Sequence, residues 1–236
     1  MELVYLITGA SSGIGKYLFE TLADAGFEVF GTRHSSKVQD GYSKRISKVD
    51  VTDHDEVVKW IASLELSGGI VLINCAGIGY NAFMHKSSPK RWARVIETNL
   101  IGTYHVIREV LPHMRAKKFG RIINMASIVA QKSVLGTSAY AASKSALWGL
   151  SKALVAESSS LGITVNNINL GYIDSGIIRD VPDVMLEKLK TEIPVGHLGS
   201  EKNVYQTLGL ADLTEKLIFK DKTFDAIVCA GTFTCG

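Results

Sequence analysis

Short apolar runs alternate with segments of helical periodicity along most of the chain. The runs lie at Leu3 to Thr8, Glu28 to Thr32, Arg45 to Val49, Ile70 to Ile73, Gly120 to Met125, Ile163 to Leu170 and Asp225 to Cys229. They lack the strict polar alternation of a half-exposed strand, which is typical of strands covered on both faces. The pattern therefore predicts an α/β fold in which a doubly wound parallel sheet has helices on both faces and binds ligands at the carboxyl ends of its strands.

The intervening segments predict the helices. They run from Ile14 to about Ala25, from a cap at Thr52 or Asp53, from Pro89 past Gly102 to about Met114, from a cap at Thr137 or Ser138, and from Asn203 to Thr214. The helix after Ser138 is expected to bury a stripe of apolar residues, namely Ala142, Ala146, Leu147, Leu150 and Leu154. Residues 174–200 differ, with two prolines and a short charged helix from Met185 to Thr191, and we expect a substrate lid there.

Length and composition favour one soluble enzyme domain spanning residues 1–236. The chain is 46% hydrophobic and 21% charged, and a formal charge of +3 is too small to favour a nucleic-acid partner. No apolar run reaches the ~20 residues of a membrane helix. The cysteines Cys75, Cys229 and Cys235 form no CxxC pair and no metal-ligand cluster with histidine, so we expect reduced thiols, no metal and a cytoplasmic location.

The turn after the first strand is rich in glycine. Gly9, Gly13 and Gly15 would let the backbone approach a pyrophosphate, and the following helix offers free N–H groups. Arg33 ends the second strand, where an acidic residue would accept hydrogen bonds from a ribose and a basic one suits a 2′-phosphate. This favours NADP(H) over NAD(H), with a solvated loop arginine as the alternative.

Three polar features remain in the middle of the chain. Tyr140 and Lys144 are four residues apart on a predicted helix, so a cation near the phenol could make a proton donor, although an ordinary helix with a solvated lysine shows the same spacing. Asn99 lies in the interior of a predicted helix, where Asn is unfavourable. It lies either on the solvent-exposed face of that helix or in the functional site. Ser127 follows the fifth strand at the ligand-binding edge.

Taken together, these features resemble the short-chain dehydrogenase/reductase family over essentially the whole chain. The residues that carry the resemblance are Thr8, Gly9, Gly13, Ile14, Gly15, Asp50, Val51, Asn74, Ala76, Gly77, Asn99, Ser127, Tyr140 and Lys144. Residues 120–124, 162–166 and 193–199 look like the 3-oxoacyl-[acyl-carrier-protein] reductase branch and its ketoreductase relatives. The resemblance implies a Rossmann sheet of seven strands in the order 3-2-1-4-5-6-7 and assembly as a homotetramer or dimer.

The resemblance also implies roles for individual residues. Tyr140 would protonate the carbonyl oxygen, Lys144 would lower the pKa of Tyr140 and bind the nicotinamide ribose, and Ser127 would hydrogen-bond the carbonyl oxygen. Asn99 would open its helix and hold a water that links Lys144 to solvent. The implied cofactor-binding set comprises Gly9, Ser11, Ser12, Gly13, Ile14, Gly15, Arg33, Asp50, Val51, Asn74, Ala76, Gly77, Tyr140, Lys144, Gly171, Ile173 and Ser175.

Four positions depart from the family pattern. Cys75 stands where Asn is usual, and Leu170 stands where Pro is usual. Ser175 stands where Thr is frequent, and serine keeps the hydroxyl group. Leu161 replaces an Arg that is frequent in carrier-protein reductases, so an acyl-carrier substrate does not follow from the sequence.

The function expected from these residues is hydride transfer between NADP(H) and a ketone or secondary alcohol of small or medium size. One alternative is a sugar or nucleotide-sugar ketoreductase, which the charged lid residues Arg179, Asp180 and Asp183 would suit. A second is an NADP-binding regulatory protein without activity. The presence of both Tyr140 and Lys144 favours an enzyme.

Overall fold

The computed structural model describes residues 2–38, 40–132, 134–181, 183–193, 196–201 and 229–230. Six strands form a parallel sheet in the order β3-β2-β1-β4-β5-β6. They are β1 (Leu3–Thr8), β2 (Glu28–Arg33), β3 (Ile46–Lys48), β4 (Gly69–Asn74), β5 (Gly120–Ser127) and β6 (Ile163–Leu170). The predicted order of these six strands is confirmed, and the order reverses between β1 and β4, where open α/β sheets bind ligands.

The outer edge of β6 carries a further short strand, β7 (Cys229–Ala230). It runs antiparallel to β6, with Ala230 opposite Asn167, whereas the sequence predicted a parallel strand. The predicted order is confirmed for the six parallel strands, and the pairing of β7 is not the parallel one predicted for a seventh strand. The difference is possible because an edge strand such as β6 can accept either direction of pairing. The rest of the predicted strand, Asp225 to Val228, lies outside the described residues.

Helices cover both faces of the sheet. They are α1 (Gly13–Asp24), α2 (His54–Ala62), α3 (Pro89–Ile96), α4 (Gly102–Lys117), α5 (Ser138–Ser158) and α6 (Asp183–Glu192). Asp53 caps α2 by accepting hydrogen bonds from the N–H groups of Asp55 and Glu56, which confirms one of the two predicted caps. Within the part of the chain that the structure describes, no helix is long and apolar enough to cross a membrane.

Two apolar cores lie on the two faces of the sheet. One contains Leu6 and Leu72 together with Trp60 of α2 and Val106 of α4. The other packs Phe19 of α1 and its neighbours against the opposite face. Both faces of the sheet are thus buried, and its carboxyl edge carries the loops that follow β1, β4, β5 and β6.

Helices α3 and α4 are joined without a break by a π-helical turn, Glu97–Ile101. The helix therefore continues past Gly102, as predicted, and ends at Lys117 rather than near Met114. A π turn inserts an extra residue into the helix and changes the hydrogen-bond pattern locally. Asn99 lies inside this turn and is completely buried, so its helix does open locally and Asn99 does not lie on a solvated face.

The predicted buried stripe of α5 is only partly correct. Leu147 and Leu154 are buried, but Ala142 is exposed, and the face that meets the sheet also carries Ser143 and Lys144. The spacing of apolar residues alone does not predict the buried face of α5, because small polar residues also lie on that face. The edge of the sheet supplies hydrogen-bond partners for these polar residues.

The chain after β6 leads into the predicted lid. A 3-10 turn at Gly176–Asp180 precedes α6, which agrees with the short charged helix expected there. The predicted helix from Asn203 to Thr214 lies outside the described residues.

Candidate active site

A cavity of about 660 Å³ opens at the carboxyl edge of the sheet. Most of the predicted site residues line it, namely Gly9, Ser12, Gly13, Ile14, Gly15, Ala76, Gly77, Ser127, Tyr140, Lys144, Gly171, Ile173 and Ser175. Six others lie outside its lining, namely Ser11, Arg33, Asp50, Val51, Asn74 and Asn99. The structure thus brings three catalytic candidates and the glycine turn together in one cleft.

The glycine turn exposes backbone to the cavity at Gly9, Gly13 and Gly15. Gly9 has φ +68°, and a Cβ there would lie 3.0 Å from Ala76 Cα, while a Cβ on Gly15 would lie 2.4 Å from the carbonyl oxygen of Gly9. The Thr8 hydroxyl accepts hydrogen bonds from the N–H groups of Cys75 (3.1 Å) and Ala76 (3.0 Å), which ties the ends of β1 and β4 together. A dinucleotide fits this turn because its glycines leave the backbone open to close approach and the N-terminus of α1 faces the cavity.

The end of the site near β2 and β3 is built around Asp50. Burial opposes ionisation of its carboxyl, but hydrogen bonds from Thr52 and from Arg94 outweigh burial and lower its pKa to about 2. Arg94 Nη2 lies 3.1 Å from Asp50 Oδ2. Arg33 is half-buried at the end of β2, and its Nη1 donates to the carbonyl of Ser36 at 3.3 Å.

Two predicted cofactor residues have side chains in the interior. Val51 is buried against Gly102, where a Cβ would lie 2.6 Å from Val51 Cγ2. Asn74 is buried beneath the sheet edge and donates to Asn124 Oδ1 at 2.9 Å. Any contact of these two residues with a cofactor would have to come from their backbone.

Lys144 lies at the bottom of the cleft. Its Nζ donates to the carbonyl oxygen of Met125 at 2.6 Å and lies 5.7 Å from the centroid of the Tyr140 ring. Burial lowers the pKa of Lys144 to about 8, and the thiol of nearby Cys75 acts in the opposite direction. The ammonium is thus poised to exchange a proton near neutral pH.

Tyr140 departs from expectation in one respect. Burial raises the pKa of its phenol, and a hydrogen bond with Ser127 partly opposes that rise. A pKa lowered by Lys144 was expected, but loss of hydration dominates here, and the Lys144 ammonium is held by the Met125 carbonyl. The phenol is therefore protonated at neutral pH and able to donate.

Asn99 joins the loop after β4 to the helix that carries it. Its Oδ1 accepts from Ile78 N at 2.8 Å, and its Nδ2 donates to Ile78 O at 3.0 Å and to Ser143 Oγ at 3.0 Å. A Cβ on Gly77 would lie 3.2 Å from Asn99 Oδ1 and 3.6 Å from Lys144 Nζ, so both groups border the same small space.

The remaining wall of the cavity is largely apolar. It comprises Ile78, Val129, Val134, Leu135, Ile177, Ile178, Val181, Met185 and Leu189, with Tyr172 among them. The lid residues in this set are aliphatic or Met, whereas Asp183 is exposed and outside the lining. The described side chains of the lid therefore present an apolar surface to the cavity, and the side chains of Arg179 and Asp180 lie outside the described part of the chain.

Sequence reasoning missed three groups that shape the site. Arg94 binds Asp50, Ser143 binds Asn99, and the Met125 carbonyl binds Lys144. Ser143 could have been found, because it directly precedes Lys144 and therefore lies in the same helical turn as the predicted catalytic pair. Arg94 and the Met125 carbonyl could not, because their contacts depend on tertiary packing.

Comparison with known proteins agrees with this geometry. The profile of a family described as short chain dehydrogenase matches residues 3–184. An acetoacetyl-CoA reductase from Rhizobium meliloti (strain 1021) is 39% identical over 212 residues, covering 86% of this chain and 88% of that protein. The 3-oxoacyl-[acyl-carrier-protein] reductase FabG of Escherichia coli (strain K12) is 32% identical over 209 residues, covering 85% and 86%.

Solved structures share the fold. ElxO with NADP bound superposes with a TM-score of 0.76 at 25% sequence identity, covering 87% of this chain and 89% of that one. The ligand-free aldohexose dehydrogenase of Thermoplasma acidophilum gives a TM-score of 0.75 at 28% identity, covering 86% and 84%.

Proposed function

Because the chain belongs to the short-chain dehydrogenase family, and is an oxidoreductase of alcohol and carbonyl groups, we propose that it reduces a 3-oxoacyl thioester of short or medium chain with NADPH. The observation that carries this proposal is the Ser127, Tyr140 and Lys144 cluster beside an aliphatic cavity wall. Relatives at 39% and 32% identity act on such 3-oxoacyl substrates.

The catalytic roles follow from the chemistry of the side chains. A bound nicotinamide dinucleotide would supply the hydride. As negative charge grows on the substrate oxygen, the Ser127 hydroxyl donates a hydrogen bond to it. The Tyr140 phenol donates its proton to the same oxygen, and the raised pKa keeps that proton available at neutral pH.

Lys144 restores the proton and holds the cofactor in this proposal. With a pKa of about 8, its ammonium can release a proton toward Tyr140 and regain one from solvent. A water near Asn99 would complete the path, because Asn99 and Lys144 border the same space beside Gly77. Lys144 would also hydrogen-bond the nicotinamide ribose.

The preference for NADP(H) over NAD(H) rests on Arg33 and on the cation-rich end of the site. No acidic residue ends β2, while Arg33 and His34 lie there, and the NADP-bound ElxO shares the fold. Asp50 is neutralised by Arg94, so it would not repel a 2′-phosphate. The proposed adenosine contacts are Ser11, Arg33, Asp50 and the backbone at Val51, Asn74 and Ala76.

Fluorescence titration with NADPH and with NADH tests the cofactor. We expect tighter binding of NADPH, and we expect Arg33→Asp to abolish that preference while Lys59→Asp, the same charge change on the exposed face of α2, leaves it intact. Equal or stronger binding of NADH by the wild type would overturn the phosphate-binding role.

The substrate class is tested by NADPH oxidation with acetoacetyl-CoA, with longer 3-oxoacyl thioesters and with aldohexoses. The sugar alternative draws on the aldohexose dehydrogenase neighbour, but the aliphatic wall disfavours it because buried apolar groups leave sugar hydroxyls without partners. Turnover of sugars but not of thioesters would overturn the proposal.

Residues 174–200 act as a lid in this proposal. Ile177, Val181 and Met185 face the cavity, and Lys132 of the loop before α5 lies 3.0 Å from Glu192 at the end of α6, which would hold the lid to the body.

Assembly as a homotetramer or dimer is also proposed. Ile101 and Tyr104 of the α3–α4 helix are exposed, and Gly149 of α5 leaves open space above the helix, so a second copy could pack closely. A cytoplasmic location stays a prediction.

A further inference from the structure

We infer that Ser143 is a positioning residue. It couples the π turn Glu97–Ile101, which contains Asn99, to the turn of α5 that carries Tyr140 and Lys144. In this way it holds the Asn99 amide oxygen toward Lys144. The inference rests on the proposed function for its kinetic consequence. Its structural content stands on contacts between buried residues.

The contacts form a short chain across the site. The Ser143 hydroxyl donates its single proton to the carbonyl of Tyr140 at 2.8 Å. Toward Asn99 it can therefore only accept, and Asn99 Nδ2 donates to it at 3.0 Å. Ser143 thus connects a catalytic turn of α5 with a residue 44 positions earlier in the chain.

This arrangement uses every polar atom of the Asn99 side chain. One N–H bonds to Ile78 O, the other to Ser143, and Oδ1 accepts from Ile78 N. Asn99 and Ser143 are both fully buried, at 0% exposure. Without the Ser143 hydroxyl, one amide proton would be left in the interior without a partner, and a buried donor in that state is strongly destabilising.

The Asn99 amide can find another partner for this proton only by moving. Asn99 belongs to the π turn Glu97–Ile101, where the helix is already irregular, so this turn is the element that would shift. The movement would take the amide oxygen away from the space beside Gly77 that it shares with Lys144.

The electrostatic consequence has a definite sign. The groups around the Lys144 ammonium are the Met125 carbonyl from β5, the Cys75 thiol after β4, the Tyr140 phenol on α5 and the Asn99 amide oxygen. Removing the amide oxygen takes away partial negative charge, which destabilises the ammonium. The pKa of Lys144 therefore falls further below its already lowered value.

The test compares Ser143→Ala with Ser151→Ala. Ser151 is buried on the same face of α5, two turns further on, and bonds to Asn124 and Asn167, away from the catalytic turn. In Ser143→Ala we expect kcat to fall about tenfold, because the Asn99 oxygen is displaced from its place near Lys144, with the KM for NADPH unchanged. The alkaline limb of the kcat profile should move to lower pH, and Ser151→Ala should show neither effect.

Hydrogen exchange at residues 97–101 tests the coupling without any activity. Exchange there should be faster in Ser143→Ala than in the wild type or in Ser151→Ala. Unchanged exchange, or an unchanged pH profile, overturns the inference. If the wild type reduces no carbonyl compound, the proposed function fails, while the exchange result still decides whether Ser143 holds the Asn99 turn.

Discussion

At the scale of single residues, the site depends on two buried groups whose charges are costly. Burial lowers the pKa of Lys144 to about 8 and raises the pKa of the neighbouring Cys75 thiol to about 12. Each group therefore favours its neutral form in the folded protein. The same desolvation that makes Lys144 a usable proton carrier also makes folded-state stability depend on pH.

The first prediction concerns this dependence. Between pH 8 and about 10.5, the unfolded chain keeps the Lys144 proton while the folded protein loses it, so the free energy of unfolding rises with pH, by up to about 3 kcal/mol. Cys75 acts oppositely above pH 9, because its thiol keeps its proton only in the folded protein. The measurement is urea unfolding at several pH values in a Cys75→Ala background, which removes the opposing contribution of the thiol.

The control for that prediction is Cys75→Ala/Lys144→Met. Its stability should lack the rise between pH 8 and 10, so the two curves should converge as pH increases. Parallel curves would mean that the buried ammonium is not destabilised in the folded protein.

A second prediction concerns the space beside Gly77. Its φ is not in the left-handed region, so alanine is compatible with the backbone, but the added methyl would lie 3.2 Å from Asn99 Oδ1 and 3.6 Å from Lys144 Nζ. Gly77→Ala should lower kcat by roughly tenfold, the effect of displacing groups by a fraction of an ångström, while the protein stays folded. Gly41→Ala, with open space around it, is the matched control, and steady-state kinetics with circular dichroism distinguish the two.

At the scale of elements, the sequence predicts the repeating parts best. The order of the six parallel strands follows from apolar runs separated by helical segments, and these repeat several times. The end of β2 differs from expectation by one residue, and α2 begins directly after the predicted cap Asp53. Periodic burial is encoded locally, so a single sequence can reveal it.

The irregular elements are harder to predict for physical reasons. The polar Asn99 indicated that its helix was unusual, but the π turn depends on Ile78 and Ser143, which lie far away in the chain. The inward surface of the lid could not be derived either. Its charged residues dominate the composition, whereas Ile177 and Met185 face the cavity because of how the turn at Gly176–Asp180 folds.

A third prediction contrasts two helical glycines. Gly102 follows the π turn, and a Cβ there would lie 2.6 Å from Val51 Cγ2, so Gly102→Ala should destabilise the fold by roughly 1–3 kcal/mol through overpacking. Gly149 on α5 has open space around it, so Gly149→Ala should stabilise the isolated chain by about 0.5–1 kcal/mol. Denaturant unfolding of both variants checks the signs, and stabilisation by Gly102→Ala would contradict the close approach of α4 to Val51.

At the scale of the whole molecule, the outer faces of α4 and α5 are the surfaces best suited to a second copy. Tyr104 of α4 is 45% exposed and Ile101 of the π turn is 40% exposed, and the π turn packs against α5. Exposed apolar side chains that lie close together are typical of surfaces that pack against another protein. The active-site cleft lies at the carboxyl edge of the sheet, so association through these faces would leave it open.

The fourth prediction follows from that surface. Gly149→Arg should shift the assembly toward monomers, because a long charged side chain would occupy the space that a partner needs. Analytical ultracentrifugation measures the change, with Lys59→Glu on α2 as a surface control. A wild type that sediments as a monomer at micromolar concentration would rule out the proposed assembly.

The central claim is that Tyr140 donates the proton in an NADPH-dependent carbonyl reduction. The most direct measurement is the rate of NADPH oxidation with acetoacetyl-CoA, comparing the wild type with Tyr140→Phe and with Tyr5→Phe, a tyrosine on β1 outside the cavity lining. We predict that Tyr140→Phe lowers kcat by about 10²–10⁴-fold with NADPH binding retained, and that Tyr5→Phe stays close to wild type. A Tyr140→Phe variant that turns over as fast as the wild type would contradict the account.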